Sequence, residues 1–290
     1  MKVSIITDIE GVAGVSTHVD HSYPTGLHYP VSKRLLTAEV NAAVEGLLAA
    51  GVSEVLVIDA HGPGGIVFEE LHPQATLLHG RPITRQQLYA PLWQCDAVVL
   101  IGQHAMAGVR SGNQNHTFSS LEIDYMKLNG RYVGETVVVA LWAGIHDVPV
   151  IFLSGDEAAC AEAREDVPGI GTAAVKQGVS ANVEITLSAV AARRLIQERI
   201  HDAVVAHLRS PVLPVKWKGP YCLEVRWKNT QLADLDEHRY GCVRFDSQTV
   251  QFHSDQLLEV LCNRHRPLHR SESPALEPSV NVMLSKGDRL

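Results

Sequence analysis

Asp8, Glu10, His61 and His104 each stand just after a short apolar run of the sequence, where a buried strand would end. Carboxylate and imidazole groups are the ligands that bind zinc outside thiolate sites. A single such residue after a strand is ordinarily a helix cap or a solvated charge. Three strand ends that each carry one or two of them predict a shared metal site.

The apolar runs before these residues are short and rich in β-branched side chains, as buried strands are. The predicted strands cover 3–7, 54–58, 97–102 and 148–153, and the predicted helices cover 31–50, 135–144, 158–165 and 188–208. Strands that alternate with helices predict an α/β fold, with a mostly parallel sheet flanked by helices on both faces. Such sheets bind ligands outside the carboxyl ends of their strands, where the candidate metal ligands stand.

Glu135 adds a third carboxylate, because it is predicted to open a helix, where the helix dipole stabilises a negative charge. Three carboxylates and two imidazoles suit Zn²⁺, or less well Mn²⁺ and Fe²⁺, and exceed what one tetrahedral ion binds. Two ions roughly 3.5–4 Å apart, bridged by one carboxylate, would use all five. Such a pair activates water and polarises a carbonyl, so hydrolysis of an amide or ester is the expected chemistry.

Two further residues have alternative interpretations. His116 lies in a polar, glycine-rich loop and is either an exposed histidine or a general acid/base at the metal site. Asp59, two residues before His61, either holds an imidazole in one tautomer or caps a helix or turn.

Composition limits the classes of partner. The chain has 290 residues, 46% of them hydrophobic, which is enough for a full core. A net charge of -7 argues against nucleic acid and anionic membranes and favours a small or peptidic substrate. Five cysteines without a CxxC motif predict neither a disulfide framework nor a thiolate zinc site. We find no signal peptide or membrane-spanning run, so a cytoplasmic location is expected.

Prolines after residue 210 predict a division of the chain. We expect an α/β metal-binding catalytic domain at 1–210 and a small α+β domain at 211–266. The hairpin predicted within 111–133, about the Asn129-Gly130 turn, is a candidate to pack with the second domain. Residues 267–290 are polar, contain three prolines and are expected to form a mobile tail.

An ordered set of motifs resembles the zinc-dependent D-aminopeptidases of the dipeptide-transport type. No single motif is specific, but their order and spacing are, and the resemblance spans about residues 1–265. The motifs are TDIEG at 7–11, RLLTAEVNAAV at 34–44, DAHG at 59–62, GQHA at 102–105, the polar loop with His116, VGE at 133–135 and TAAVKQ at 172–177.

The resemblance implies two zinc ions, bridged by Asp8 and completed by Glu10, His61, His104 and Glu135. It also implies that His116 is the catalytic residue, which the family names a nucleophile. Lys176 is implied to hold a substrate carboxylate or an oxyanion, although a surface lysine is the alternative. The implied substrates are short peptides with an N-terminal D-residue such as D-Ala. The implied assembly is a self-compartmentalising homo-oligomer, a decamer of two pentameric rings.

The sequence departs from the family at two positions that could alter the pocket. Ile58 and Ala181 stand where relatives often have Asn and Arg. Alternative functions are therefore a related metal amide or ester hydrolase with other substrate chirality and a non-catalytic peptide-binding component of dipeptide uptake. Nucleotide binding by the glycines at 62–65 is disfavoured, because neither GxGxxG nor GxxxxGK[ST] is present.

Overall fold

The computed structural model of the protein describes residues 1–239 and 241–262, so the tail predicted at 267–290 lies outside the described residues. The strands are β1 (Lys2–Thr7), β2 (Glu54–Asp59), β3 (Ala75–Leu78), β4 (Ala97–Gln103), β5 (Ile123–Leu128), β6 (Arg131–Tyr132), β7 (Val150–Asp156), β8 (Gly171–Ser180), β9 (Val183–Thr186), β10 (Tyr221–Trp227), β11 (Cys242–Arg244) and β12 (Thr249–Ser254). The α-helices are α1 (Tyr29–Ala49), α2 (Arg85–Tyr89), α3 (Glu135–Ile145), α4 (Glu157–Asp166), α5 (Ala189–Arg209), α6 (Thr230–Glu237) and α7 (Leu257–Cys262).

The larger sheet has the order β3-β2-β1-β4-β7-β8-β9. Its pairs are parallel except for the edge strand β9, which runs antiparallel to β8. Helices α1 and α5 pack against each other, as do α3 and α4, and they flank the sheet. Because both faces are covered, a central strand such as β4 is apolar and buried almost throughout instead of alternating. The predicted fold class is confirmed.

The smaller sheet is antiparallel, with the order β11-β12-β10-β5-β6. The hairpin β5–β6 turns at Asn129 and Gly130, whose φ angles of 52° and 80° suit a tight hairpin turn. Strand β5 pairs with β10, so this hairpin joins the strands that follow residue 220 in one sheet. The boundary drawn near residue 210 stays a prediction.

Several strands escape the sequence patterns. Residues 242–254 form two strands, because Asp246 accepts hydrogen bonds from the amides of Gln248 and Thr249 and turns the chain between β11 and β12. Strands β3, β8 and β9 were not predicted, since they are partly exposed and lack a continuous apolar run. Among the helices of the described residues, none combines the length and apolar character needed to cross a lipid bilayer.

Candidate metal centre

The carboxyl ends of β2, β1 and β4 lie side by side, because β1 pairs with β2 on one side and with β4 on the other. Asp8 and Glu10 follow β1, His61 follows β2 and His104 follows β4. Glu135, the first residue of α3, reaches the same place, with its Oε1 3.3 Å from His104 Nε2. The structure therefore gathers all five ligand candidates in one cluster.

Asp8 lies in the middle of the cluster and directs one carboxylate oxygen toward each imidazole. Its Oδ1 is 3.2 Å from His61 Nδ1, and its Oδ2 is 3.1 Å from His104 Nε2. Glu10 stands on the His61 side, with its Oε2 3.2 Å from His61 Nδ1, and Glu135 stands on the His104 side. The cluster thus has two halves that share one carboxylate, as a bridging ligand between two ions would.

Backbone contacts hold the ends of β1 and β4 close together. The amide of Asp8 donates to the carbonyl of Ile101, and the amide of Gly11 donates to that of Gly102, both at 2.8 Å. Gly102 has a φ of +79°, and a Cβ there would lie 2.1 Å from the carbonyl oxygen of Asp8. Only glycine fits such a conformation at such a contact. Gly102 therefore allows His104 to lie beside Asp8.

A backbone carbonyl holds each of the two ligand imidazoles from behind. His61 Nε2 donates to the carbonyl of Ser22 at 2.9 Å, and His104 Nδ1 donates to the carbonyl of Ala105 at 2.9 Å. Because a carbonyl oxygen only accepts hydrogen bonds, these contacts determine which nitrogen of each ring carries the hydrogen. His61 Nδ1 and His104 Nε2 are consequently the nitrogens that face Asp8 and are available to a metal.

The electrostatics of the cluster are those of a cation site. Burial acts to lower the pKa of His61 and His104, but the neighbouring carboxylates outweigh it and hold both pKa values well above the ordinary value. Burial acts to raise the pKa of Asp8 and Glu135, yet the imidazoles keep the Asp8 pKa well below, and the Glu135 pKa below, the usual value. The buried carboxylates stay ionised only with positive charge beside them, which imidazolium groups or metal ions supply.

The donor atoms present fit metal ions. Within the described part of the chain, buried Glu10 Oε2 and His104 Nε2 have no hydrogen-bond partner, which is costly unless another group meets them. Ligand atoms of Asp8, Glu10 and His104 lie within 4.8 Å of one another, and so do those of His104, His116 and Glu135. A thiolate-free set of carboxylate and imidazole donors, in two groups that share His104, fits zinc.

His116 lies against the cluster and is not the exposed loop residue that was the alternative expectation. Its ring stacks on that of His104, with centroids 3.9 Å apart and an angle of 13° between planes. Nδ1 donates to the carbonyl of Gln114 at 2.9 Å, which leaves Nε2 facing Glu135 Oε1 at 3.8 Å. Burial and the positive charge of His104 lower the pKa of His116. A neutral imidazole with one bare nitrogen therefore faces the candidate metal ligand Glu135.

His18 also belongs to the site, and the sequence patterns missed it. Its Nδ1 is 4.0 Å from Glu10 Oε1, and its ring meets that of His116 edge-on at 5.1 Å. Burial first, and then the charges of His116 and His104, lower its pKa to about 3. It lies in a helical turn (His18–Ser22) within a long loop, not at a strand end. In the sequence, residues 15–30 are rich in Ser, Thr, His and Tyr, which indicates a functional loop but does not identify His18 among its histidines.

Asp59 has the turn-capping role that was one of its two interpretations. Its carboxylate accepts hydrogen bonds from the amides of Gly65, at 2.8 Å, and Ile66, at 3.3 Å. His61 is held by the carbonyl of Ser22 instead. The Asp59 side chain thus stabilises the turn that follows β2, because its carboxylate accepts from the backbone amides of that turn.

Lys176 lies behind the cluster. The residue is 3% exposed, so it is not the surface lysine of the alternative interpretation. Its amine donates to the backbone carbonyls of Glu10 and Val15 and to Asn113 Oδ1, and it lies 3.0 Å from Glu184 Oε2. Lys176 is not among the described residues that line the cavity above the cluster. Its binding of substrate stays a prediction.

A cavity of about 470 Å³ opens over the cluster. Its volume is in the range of small-molecule sites. Four of the ligand candidates and His116 line it, together with arginine, aromatic, hydroxyl and aliphatic side chains. Those wall residues include Tyr23, Arg81, Arg85, Tyr89, Phe118, Ser120 and Leu121.

Known proteins are similar to this chain in sequence and in fold. The sequence profile of the D-aminopeptidase peptidase family matches residues 1–263. A D-aminopeptidase of Bacillus subtilis is 30% identical over 265 residues, which cover 89% of this chain and 93% of that protein. The solved structure of the Zn-dependent D-aminopeptidase DppA from Bacillus subtilis, a self-compartmentalizing protease, matches with a TM-score of 0.83 at 28% identity. That match covers 90% of this chain and 94% of DppA.

Proposed function

The chain belongs to the D-aminopeptidase family of zinc-dependent peptidases, and from that premise we propose that it is a binuclear aminopeptidase for short D-peptides. Its substrates would be short peptides with an N-terminal D-residue such as D-Ala. The observation that carries the proposal is the central position of Asp8. One oxygen faces each imidazole at 3.1–3.2 Å, so one carboxylate serves two half-sites.

Asp8, Glu10, His61, His104 and Glu135 would hold the two zinc ions. Paired zinc ions supply Lewis-acid chemistry that activates water and polarises a peptide carbonyl. The chain supplies the geometry: Asp8 and Glu10 on the His61 side, and Asp8 and Glu135 on the His104 side.

His116 is proposed to move the proton between the attacking water and the leaving amine. Its Nδ1 is committed to the carbonyl of Gln114, so only Nε2 can exchange a proton with substrate. His116 lines the cavity, and its Nε2 lies 3.8 Å from Glu135 Oε1. Stacking on His104 keeps the ring from turning away. This role is a general acid/base, and the nucleophile role implied by the family is the alternative.

A peptidase that reads chirality must do so with the cavity walls, because zinc ions do not distinguish mirror images. Besides the ligand candidates, the cavity is lined by Tyr23, Phe118 and Leu121, and by Arg81 and Arg85. Tyr23 Oη and Ser120 Oγ lie 2.9 Å apart and join two loops that form the walls. Loop-built walls over a cavity of about 470 Å³ support a short substrate.

The decisive experiment assays alanyl dipeptides of both chiralities with metal analysis of the same protein. We expect about two zinc ions per chain, release of D-Ala and at most slow release of L-Ala. Asp8→Ala should lose both the metal and the activity. As a control for a surface charge, Glu198→Ala should keep both, because Glu198 pairs with Arg194 on an exposed helix face.

Three results would contradict parts of the proposal. One zinc per chain in active protein would remove the binuclear centre. Preference for L-alanyl substrates would support a hydrolase of other chirality. Zinc binding without turnover of any peptide, amide or ester would support a peptide-binding component.

We also propose that the chain is a cytoplasmic homo-oligomer, a decamer of two pentameric rings with an α/β domain at 1–210 and a small domain at 211–266. The self-compartmentalizing relative supports the assembly. So does the edge strand β9, where Val183 is 53% and Ile185 is 66% exposed beside exposed Val179 and Val190. Exposed apolar edges of this kind ordinarily mark contacts with another chain. Sedimentation of a monomer at micromolar concentration would contradict the assembly.

A further inference from the structure

A buried polar network lies next to the candidate metal ligands. Its centre is Gln114, which is fully buried and has a left-handed φ of 51°. Such a backbone conformation is uncommon for residues other than glycine and persists only where the surroundings hold it. We propose that Gln114 is a positioning residue of the metal centre, which holds the segments carrying Glu10, His61 and His116 in register. The inference rests on the proposed function.

The first link runs from Gln114 to His61. The amide oxygen of Gln114 accepts a hydrogen bond from Ser22 Oγ at 2.7 Å. The carbonyl of the same serine accepts from His61 Nε2 at 2.9 Å. Ser22 is fully buried, so water does not compete for either bond. The position of Gln114 thereby fixes the carbonyl that keeps His61 Nδ1 toward Asp8.

The second link runs from Gln114 to Glu10. The side-chain nitrogen of Gln114 donates to the carbonyl of Val15 at 2.8 Å and to that of Glu10 at 3.4 Å. Lys176, a residue of β8, donates to the same two carbonyls. Two donors from different parts of the chain therefore hold the turn that follows β1. The backbone of Glu10 is fixed on both sides.

Lys176 completes this second link. Its ammonium group has three donors, and they meet three acceptors: the carbonyls of Glu10 and Val15 and Asn113 Oδ1. Glu184 lies 3.0 Å away and neutralises the charge. The amine has no exposed surface. In the proposed network Lys176 is thus a second positioning residue.

The third link runs from Gln114 to His116 through the backbone. The carbonyl of Gln114 accepts from His116 Nδ1 at 2.9 Å. The amide of Gln114 donates to the carbonyl of Ala181 at 2.9 Å, which attaches the loop to the turn between β8 and β9. Gln114 therefore positions His61, the turn that carries Glu10, and His116, the proposed proton carrier.

The hydrogen bonds at position 114 require a side-chain amide, which can both donate and accept. Gln114 donates from nitrogen to two carbonyls and accepts at oxygen from a hydroxyl. A glutamate of the same size would place an oxygen against the carbonyl oxygens of Glu10 and Val15. It would also add a negative charge behind three carboxylates. Gln114→Glu should therefore displace the network while leaving the packing volume unchanged.

The test measures zinc affinity by chelator competition and then kcat and KM separately, on folded protein. For Gln114→Glu we expect zinc affinity to fall about 10–100-fold, as is typical when a partner of a metal ligand is lost. We also expect a lower kcat with KM changed less than threefold. The matched control is Gln177→Glu, the same substitution at an exposed position of β8 next to Lys176, which should behave as the wild type.

Ser22→Ala is the second variant, in case Gln114→Glu does not fold. It removes one hydrogen bond and keeps the carbonyl that holds His61, so a smaller fall in zinc affinity, about 2–10-fold, is expected. Wild-type zinc affinity and kcat in both folded variants would overturn the inference, even with a lower melting temperature. Failure of the wild type to bind zinc or cleave D-alanyl peptides would instead overturn the proposed function.

Discussion

The carboxyl edge of the large sheet and the small antiparallel sheet both contain clusters of charged side chains, but these clusters differ in their exposure to water. In the small sheet, Arg226 reaches Asp124 at 3.3 Å and Asp246 at 3.1 Å, with all three side chains at least 31% exposed. At the edge of the large sheet, Asp8 and Glu10 are buried side by side. Water solvates the first group of charges, whereas protein surrounds the second.

The difference separates structural from functional charge. Exposed ion pairs cost little to form and contribute little, because water screens them. Buried acids are expensive unless cations or hydrogen bonds meet them. The protein nevertheless collects Asp8, Glu10 and Glu135 at one place, with two ligand atoms of the cluster lacking partners among the described residues. Unfavourable burial of this kind is expected where a metal is bound.

Among the substitutions at these two regions, we expect the largest effect on activity at His116. His116→Gln should lower kcat about 10²–10⁴-fold, because general acid/base catalysis contributes that much. Zinc content should stay near that of the wild type, since the five proposed ligands remain. Steady-state kinetics and metal analysis on one preparation check this. Loss of zinc together with activity would instead make His116 a metal ligand, which its distance to His104 and Glu135 allows.

The next effect concerns a buried ion pair. Lys176→Met should lower the free energy of unfolding by about 3–5 kcal/mol, because it leaves the Glu184 carboxylate buried without its cation. Denaturant titration measures the loss. Gln177→Met, at the adjacent exposed position, is the control and should change stability little. A loss below about 1 kcal/mol for Lys176→Met would show that the pair is as weak as a surface pair.

A third effect is a pH dependence at Glu39, a residue of α1. Burial raises the pKa of Glu39 to about 8, against an ordinary value of 4.5, although the Ala13 amide opposes this. Between these pH values the folded protein keeps a proton that the unfolded chain has lost, so stability falls as pH rises through this window and is flat above it.

Glu39→Gln should remove this fall. The difference in unfolding free energy between variant and wild type should grow in favour of the variant, by a few kcal/mol at most, from pH 5 to pH 8. Groups common to both proteins cancel in the difference. Thermal or denaturant unfolding across that range measures it, and a difference that stays constant with pH would show that Glu39 is ionised in the fold.

The smallest effect belongs to the antiparallel sheet. Arg226→Met keeps most of the aliphatic stem and removes the exposed pairs with Asp124 and Asp246. We expect the melting temperature to change by no more than about 4 °C, with zinc binding and activity unchanged. A larger loss would mean that exposed pairs in this sheet stabilise more than the comparison allows.

Strand-end patterns predicted much of the site. Runs such as 97–102 are apolar because both faces of the sheet are covered, so strand and ligand could be recognised together. The patterns did not find His18, which lies in a helical turn of a loop. They also did not find β8, which is partly exposed, or β9, which is mostly exposed, and they left two roles open for Asp59. Loops and edges carry weak patterns because no continuous core constrains them.

The sequence by itself determined the alternation of strands and helices and the types of residue that follow each strand, because local burial dictates both. It also carried the family motifs. Only the tertiary structure decided that Asp8 lies between His61 and His104, that His116 stacks on His104 and that Lys176 faces backbone carbonyls and not the cavity. Those relations depend on which strands are neighbours and how loops return across the sheet, and contacts between distant parts of a chain leave no periodic trace in it.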